Sequence, residues 1–325
     1  MPTTTKPLIS TIVLTPNLLT TYLGSIILIT GVLGELLNII VFLSLRTFRE
    51  SSCAFYLTLS SVLKLIHLLT GLVSRVVISA ADVDWTLLSP FYCKLRAYLL
   101  QFCSVSSLGL ICLAVIDQFF ATSPHRRWQQ WSHIKIARRL SATLLLFSIL
   151  SSIPQAFFFE LVISLTTNSR ACTIISSVYL RYYNNFNVPV LFAPLPLLST
   201  IIFGLLTYWN VKQIAYRTVP LVRRRLDQQL TTMVLVQTVV NAITISPYLF
   251  LQMLITHTTL LSDLTMKNHV QFTFSIILCI YYLYCAVSVD YFYSTRIIFF
   301  FCSEFILYLC VHIGTISSSI TSCIV

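Results

Sequence analysis

Residues 93–118, CKLRAYLLQFCSVSSLGLICLAVIDQ, carry a cysteine at one end, an acid near the other and an apolar run between them. An α-helix needs about 20 apolar residues to cross the ~30 Å hydrocarbon core of a bilayer. Runs of that length recur at roughly 18–45, 54–79, 95–116, 137–163, 186–211, 230–256 and 270–293. Strands of a membrane barrel are about half as long and alternate in polarity. The sequence therefore predicts an all-α integral membrane protein, a seven-transmembrane helix bundle.

The composition supports this prediction. Of the 325 residues 57% are hydrophobic and 10% are charged, which is too apolar for a water-soluble domain. The first apolar run follows a start rich in Thr and Pro without a basic cluster, so no cleavable signal peptide is expected. We expect residues 1–17 to form an extracellular amino terminus and residues 18–296 to form the seven-helix domain. Residues 297–325 are predicted to be an apolar segment that lies in the interface or forms an eighth span.

The distribution of Lys and Arg predicts the orientation, because short cytoplasmic loops carry the excess of these residues. Thirteen of them fall in one set of loops and seven in the opposite set, which includes the amino terminus. The amino terminus is therefore expected outside, at the plasma membrane. The net charge of +11 then suits an anionic lipid surface. Nucleic-acid binding is not expected, since no soluble basic domain is present.

Two cysteines fall on the predicted oxidising side. Cys93 lies at the outer end of the third span, and Cys172 lies in the loop between the fourth and fifth. Because disulfides persist on that side, we expect a bridge between them, the alternative being two free thiols. No spacing of Cys and His predicts a metal site, and we expect neither a catalytic residue nor a cofactor.

These features together resemble the rhodopsin-like (class A) G-protein-coupled receptors. In that family twenty-five residues separate the cysteine from the Arg of an Asp-Arg-Tyr triplet, and the same distance separates Cys93 from Gln118. Further matches are Asn38 in the first span, Trp85 ahead of the cysteine, and Pro247 in the sixth span. The resemblance implies a receptor that transmits an extracellular chemical or peptide ligand to a heterotrimeric G protein. The local sequence is most similar to divergent, chemoreceptor-like invertebrate orphans.

The triplet at the end of the third span departs from the family. It reads Asp117, Gln118 and Phe119, and the neutral Gln118 cannot make the family's ion pair with an acid on the sixth helix. Asp227 lies where that acid is expected, so an amide hydrogen bond of ~1 kcal/mol remains open to Gln118. Alternatively, Asp117 marks the membrane edge and contacts basic residues such as Arg126. A receptor that binds ligand but couples weakly is a related alternative.

A second departure is a charged residue inside the second span. Lys64 lies ~15 Å along the helix from its inner start, and charges at that depth normally find a partner. We predict an ion pair with Asp290 of the seventh span, with Glu35 as second partner or as a neutral acid. The predicted polar network also contains Asn38 and Tyr291. Either Tyr291 or Tyr293 stands for the tyrosine of the family's seventh-helix motif. The alternative is a lysine that faces lipid headgroups.

The ligand site is expected at the outer end of the bundle. Leu100 stands where amine receptors place an acid, which argues against a monoamine anchored by a carboxylate. The other candidates are mostly aromatic and amide residues, which suit a neutral or peptide-like ligand. They are Arg96, Tyr98, Gln101, Tyr182, Tyr183, Asn185, Asn187, Tyr248, Gln252, His257 and Gln271. Alternatively, the tyrosines form an interfacial aromatic belt.

A transporter or channel is the rival class. In that interpretation Glu35, Lys64 and Asp290 would form a polar pathway through the membrane. The sequence shows no internal repeat, no pair of broken helices at matching positions and an odd number of spans, all of which favour the receptor.

Overall fold

The computed structural model describes residues 16–44, 51–81, 84, 87, 89–163, 170–192, 194–214, 221–257 and 264–286. Seven long helices follow one another in these ranges. They are α1 (Pro16–Ser44), α2 (Ser52–Ala81), α3 (Pro90–Thr122), α4 (Ile134–Phe158), α5 (Pro194–Ile214), α6 (Leu221–His257) and α7 (Leu264–Ala286). Among the described residues, five spans are long and apolar enough to cross a membrane: α1 to α4 and residues Leu230–Leu254 of α6. The predicted seven-helix membrane bundle is confirmed.

Helix α3 lies at the centre of the bundle. It contacts α2, α4, α5 and α6, while α1 packs against α2 and α7. Its fully buried side chains Leu110 and Val115 form one core cluster with Leu230 and Val234 of α6. The outer helix α1 instead exposes apolar residues such as Leu33, which suit contact with lipid. Side chains on the inward face of α3 are therefore placed to contact most of the other helices.

Helix α2 is interrupted by one π-helical turn at Leu68–Leu72. Such turns insert one extra residue into an α-helix and often lie at functional sites. A Cβ atom at Gly71, inside this turn, would lie 2.8 Å from the Leu100 side chain and even closer to the Tyr282 hydroxyl. The missing side chain at Gly71 therefore allows α2, α3 and α7 to approach one another here.

A two-stranded hairpin follows α4 and corrects the prediction of the fourth span. The helix ends at Phe158, and β1 (Phe159–Ile163) pairs antiparallel with β2 (Arg170–Ile174). The apolar run from 137 to 163 continued through this strand, and a short apolar run does not distinguish helix from strand. The structure is thus helical in its spans but not all-α outside them.

The predicted disulfide is present and ties the hairpin to α3. Cys93 bonds to Cys172 of β2, with the two Cα atoms 6.0 Å apart, within the usual range for disulfides. Since Cys93 lies in the first turn of α3, β2 is held at this end of the bundle.

The boundaries of other helices differ from the predicted spans for physical reasons. The fifth span was expected from residue 186, but a π-helical segment at Tyr183–Phe192 precedes α5. Helix α6 begins at Leu221, before its apolar part, because a helix continues beyond the hydrocarbon core. Trp85, Asp290, Tyr291 and the segment 297–325 lie outside the described residues, so the predictions made for them stay predictions.

Candidate functional site

A cavity of about 480 Å³ lies at the end of the bundle that carries the disulfide, here called the disulfide end. Both disulfide cysteines are in its wall, together with residues from α2, α3, the hairpin, α6 and α7. Its polar and aromatic lining includes Arg75, Arg96, Gln101, Arg170, Tyr248 and Tyr282. The volume is within the range of pockets that take small organic ligands.

Five of the predicted ligand residues line this cavity: Arg96, Leu100, Gln101, Tyr183 and Tyr248. They come from α3, from the π-helical segment before α5, and from α6. Counting along α3 from Cys93 was enough to predict that Arg96, Leu100 and Gln101 lie toward this end of the bundle.

Other predicted ligand residues lie elsewhere. Tyr98 stacks on Phe102 of its own helix, and Tyr182 and Asn185 are exposed. The side chain of Gln252 is described and does not belong to the cavity wall. The side chains of His257 and Gln271 lie outside the described residues.

The charged lining was missed by the sequence prediction. Arg75 of α2 and Arg170 of β2 join Arg96 in the wall, and Asp84 is the carboxylate among the described lining residues. In the sequence, Arg75 and Arg170 contribute only to the count of Lys and Arg that predicts which side of the membrane each loop faces. The proximity of Arg170 to Cys172 in sequence was a usable signal, because the disulfide brings it to α3.

A buried polar layer forms the floor of the cavity. Gln101 donates a hydrogen bond to the Asn187 side chain at 3.0 Å, which joins α3 to the segment before α5. Deeper, the Ser104 hydroxyl lies 3.4 Å from Nδ1 of His67 and 3.3 Å from the hydroxyl of Tyr281. The ring of Tyr281 packs on Tyr248 with centroids 4.7 Å apart. Polar contacts and ring packing thus connect α2, α3, α6 and α7 below the cavity.

The middle of the bundle contains an ion pair. The Lys64 ammonium lies 3.8 Å from Oε1 of Glu35, and both side chains are almost fully buried. The ammonium also lies 5.8 Å from the centre of the Tyr284 ring. The structure therefore brings Lys64 to the acid that was predicted as its second partner, while Asp290 lies outside the described residues.

Next to this pair lies a cavity of about 20 Å³, which has room for about one water molecule. Its wall includes Lys64, the predicted network residue Asn38, and Gln237 of α6. The Gln237 amide donates to Asn241 at 2.9 Å and to the Tyr284 carbonyl at 3.4 Å. Polar groups therefore continue from α2 to α6 and α7 at this depth.

The opposite end of the bundle, here called the Gln118 end, is held by hydrogen bonds. The Ser52 hydroxyl donates to the Asp117 carboxylate at 2.6 Å, and this joins α2 to α3. The Thr231 hydroxyl donates to Oε1 of Gln118 at 2.9 Å, and this joins α6 to α3. All four residues are buried. The side chains of Asp227 and Arg126 lie outside the described residues.

Phe119 belongs to an aromatic cluster at the same end. Its ring contacts Phe203 of α5 edge-on, with centroids 5.6 Å apart, and the Trp128 ring at 6.5 Å. Trp128 in turn stacks on Phe120 at 5.4 Å. Residues 117 to 120 therefore contact α2, α5, α6 and the loop after α3. A movement of α3 would change its contacts with all four of these elements.

The seven-helix architecture, the cavity at one end and the α3 to α6 contact at the other define a membrane receptor. A family model described as 7 transmembrane receptor (rhodopsin family) matches residues 34–288. The chain belongs to this family and is a rhodopsin-like G-protein-coupled receptor, a multi-pass protein of the plasma membrane. No curated protein matches the chain.

Proposed function

We propose that this receptor binds its ligand in the cavity at the disulfide end and engages a heterotrimeric G protein at the Gln118 end. The observation that carries the proposal is the position of α3. Its residues Arg96, Leu100 and Gln101 line the cavity, and Gln118 of the same helix is hydrogen bonded to α6. A ligand that binds one arrangement of α3 better than another shifts the population of both ends.

The disulfide end is proposed to face outside, with the amino terminus. The excess of Lys and Arg in the opposite loops supports this orientation. The Cys93–Cys172 bond supports it independently, because disulfides persist on the oxidising side of the membrane.

Gln118 is proposed to keep the inactive arrangement through a neutral hydrogen bond in place of an ion pair. Thr231 is the partner that supports this, since its hydroxyl is 2.9 Å from Oε1 of Gln118 and both side chains are buried. Such a bond contributes only ~1 kcal/mol, so basal activity is expected to be measurable without added ligand.

G-protein dissociation in living cells, across a panel of G-protein classes, tests the proposal. Wild type and Gln118→Arg are compared at matched surface expression. We expect wild type to exceed empty-vector cells for at least one class, and we expect Gln118→Arg to change that signal, since it puts a charge beside Thr231.

The matched control is Val178→Arg, which adds the same charge at an exposed position of the short helix Ser177–Tyr182, at the disulfide end and outside the described cavity wall. It should behave as wild type. If wild type and both variants equal empty vector for every class, the coupling proposal is wrong.

The family assignment favours the receptor over the transporter or channel alternative. Members of the family are in general not enzymes, and we propose that this chain has no catalytic activity. The weakly coupled receptor remains the rival within the same fold, and the cell assay separates it from the proposal. Wild type equal to empty vector with activity gained in Gln118→Arg would favour that rival.

A further inference from the structure

We propose that the cavity at the disulfide end binds a carboxylate attached to a small apolar or aromatic body, with Arg96 as the principal anchor. This inference rests on the proposed function, since it names the ligand class of the same cavity. It goes beyond the neutral or peptide-like ligand that the sequence predicts.

The Arg96 side chain is held in the cavity wall through one of its three guanidinium nitrogens. Its Nε atom donates to the buried Ser74 hydroxyl of α2 at 3.1 Å. That hydroxyl in turn lies 3.3 Å from the Tyr92 hydroxyl and donates to the Thr70 carbonyl. The Nε contact fixes the guanidinium in the cavity wall, and among the described residues the two terminal nitrogens have no hydrogen-bond acceptor.

The described cavity wall carries more positive than negative charge. Three guanidinium groups and one carboxylate, that of Asp84, are in this wall. The acids Glu35 and Glu160, which pair with Lys64 and Lys94, are not part of it. Arg75 and Arg96 are half-buried, and a cation removed from water is costly unless it is paired. The excess of positive charge therefore favours an anionic group in the cavity.

The shape of the Arg96 guanidinium suits a carboxylate. A guanidinium presents its donors in a planar fork that matches the two oxygens of a carboxylate. With Nε held by Ser74, the fork of Arg96 remains for a ligand. Arg75 lies on α2 in the same wall, one residue after Ser74, and adds a second positive charge.

The apolar and aromatic residues of the wall predict the part of the ligand that carries the carboxylate. Leu100, Phe274 and Leu278 are apolar, and Tyr248 and Tyr282 add aromatic rings. The cavity of about 480 Å³ has room for a body of one or two rings. The same chemistry is found in small organic acids and at the carboxyl terminus of a peptide, and the experiment separates the two sources.

Thermal unfolding of the purified receptor in lipid nanodiscs tests the inference. The probes are 3-phenylpropionate and its amide, 3-phenylpropionamide, with sodium chloride added to equal ionic strength. We expect the acid to raise the Tm of wild type and to bind at least about tenfold more tightly than the amide. N-acetyl-glycyl-phenylalanine, as free acid and as amide, forms the second pair of probes. A shift with this peptide acid extends the ligand class to peptide termini, and its absence limits the class to small acids.

Two variants and one control accompany the probes. Arg96→Gln should weaken binding of the acid at least about tenfold, which corresponds to ~1.4 kcal/mol, and Arg75→Gln should weaken it less. The control is Lys94→Gln, which removes a positive charge from the same turn of α3 but whose ammonium contacts Glu160 at 3.1 Å. It should leave binding unchanged. If Arg96→Gln does not fold, Arg75→Gln carries the test.

The inference is overturned if the acid gives no shift in wild type, if the amide shifts the Tm equally, or if Lys94→Gln weakens binding as much as the arginine variants. Failure here is distinguishable from failure of the proposed function. G-protein dissociation by wild type without acid binding would reject only the ligand class. Acid binding without dissociation would reject only the coupling.

Discussion

The middle of the bundle and its Gln118 end are both polar, but they are held together by different interactions. In the middle, two charges meet: the Lys64 ammonium lies 3.8 Å from the Glu35 carboxylate. At the Gln118 end, the described contacts are those of an amide and a carboxylate with hydroxyl groups. The rhodopsin-like pattern would place a positive charge at position 118, whereas here the neutral Gln118 stands at that position and a buried cation, Lys64, lies on α2.

This difference matters because the two kinds of contact have different costs when broken. Removing one partner of a buried ion pair costs about 3–5 kcal/mol, since the other charge stays buried. Removing the neutral hydrogen bond between Thr231 and Gln118 costs about 1 kcal/mol. We therefore infer that losing one charge in the middle destabilises the fold, while the α3 to α6 contact at the Gln118 end is weak enough to open and close during signalling.

The largest effect is expected for Lys64→Met. It leaves the Glu35 carboxylate buried without its cation, so stability should fall by about 3–5 kcal/mol, seen as lower surface expression and a lower Tm in nanodiscs. The double variant Lys64→Met with Glu35→Leu should recover much of the loss, because the uncompensated charge is gone. Wild-type yield of the single variant would contradict the ion pair. Asp290→Asn, made in parallel, tests whether Asp290, the predicted partner of Lys64 outside the described residues, also contributes to the stability.

An intermediate effect is expected for Ser52→Ala. The Ser52 hydroxyl is 2.6 Å from the Asp117 carboxylate, and hydrogen bonds to charged groups contribute about 1.5–3 kcal/mol. Ser52→Ala should therefore lower the stability by about 1.5–3 kcal/mol, measured as a lower Tm in nanodiscs. Ser132→Ala is the matched control, since Ser132 lies 3.2 Å from Ser52 and is only half-buried. An equal loss in both variants would show that Ser52 has no special role in holding Asp117.

The smallest stability effect, but a clear functional one, is expected for Thr231→Val. It removes the hydrogen bond to Gln118, worth ~1 kcal/mol, so basal G-protein dissociation should rise about fivefold at matched expression. Thr238→Val, two turns further along nearly the same face of α6, is the control because its hydroxyl donates to the Val234 carbonyl of its own helix. No rise in Thr231→Val would mean that the restraint on α6 lies elsewhere.

The spans, the disulfide and the position of Gln118 could be predicted because they depend on local properties. Length and apolarity fix a membrane helix, and a count along α3 fixes the register between Cys93 and Gln118. The hairpin was not predicted, because four of the five β1 residues are apolar and extend the apolar run of α4, with Glu160 as the exception.

The contacts inside the site depend on how the helices are rotated, and this the sequence does not specify. Ser52 and Thr231 bond to residues 65 and 113 positions away, and either could have been taken for an ordinary small polar helix residue. The same applies to Arg75, whose place in the cavity wall follows from the path of α2 beyond its π-helical turn.

The π-helical turn at Leu68–Leu72 acts as an angular offset between the two halves of α2. One residue of an α-helix corresponds to a rotation of about 100°. If the same residues were wound as a regular α-helix, with the half that carries Lys64 kept in place, Ser74 and Arg75 would turn by about 100° away from Arg96. Every side chain would still be present. The composition of the cavity wall thus depends on the backbone geometry of a single turn, as much as on which amino acids the wall contains.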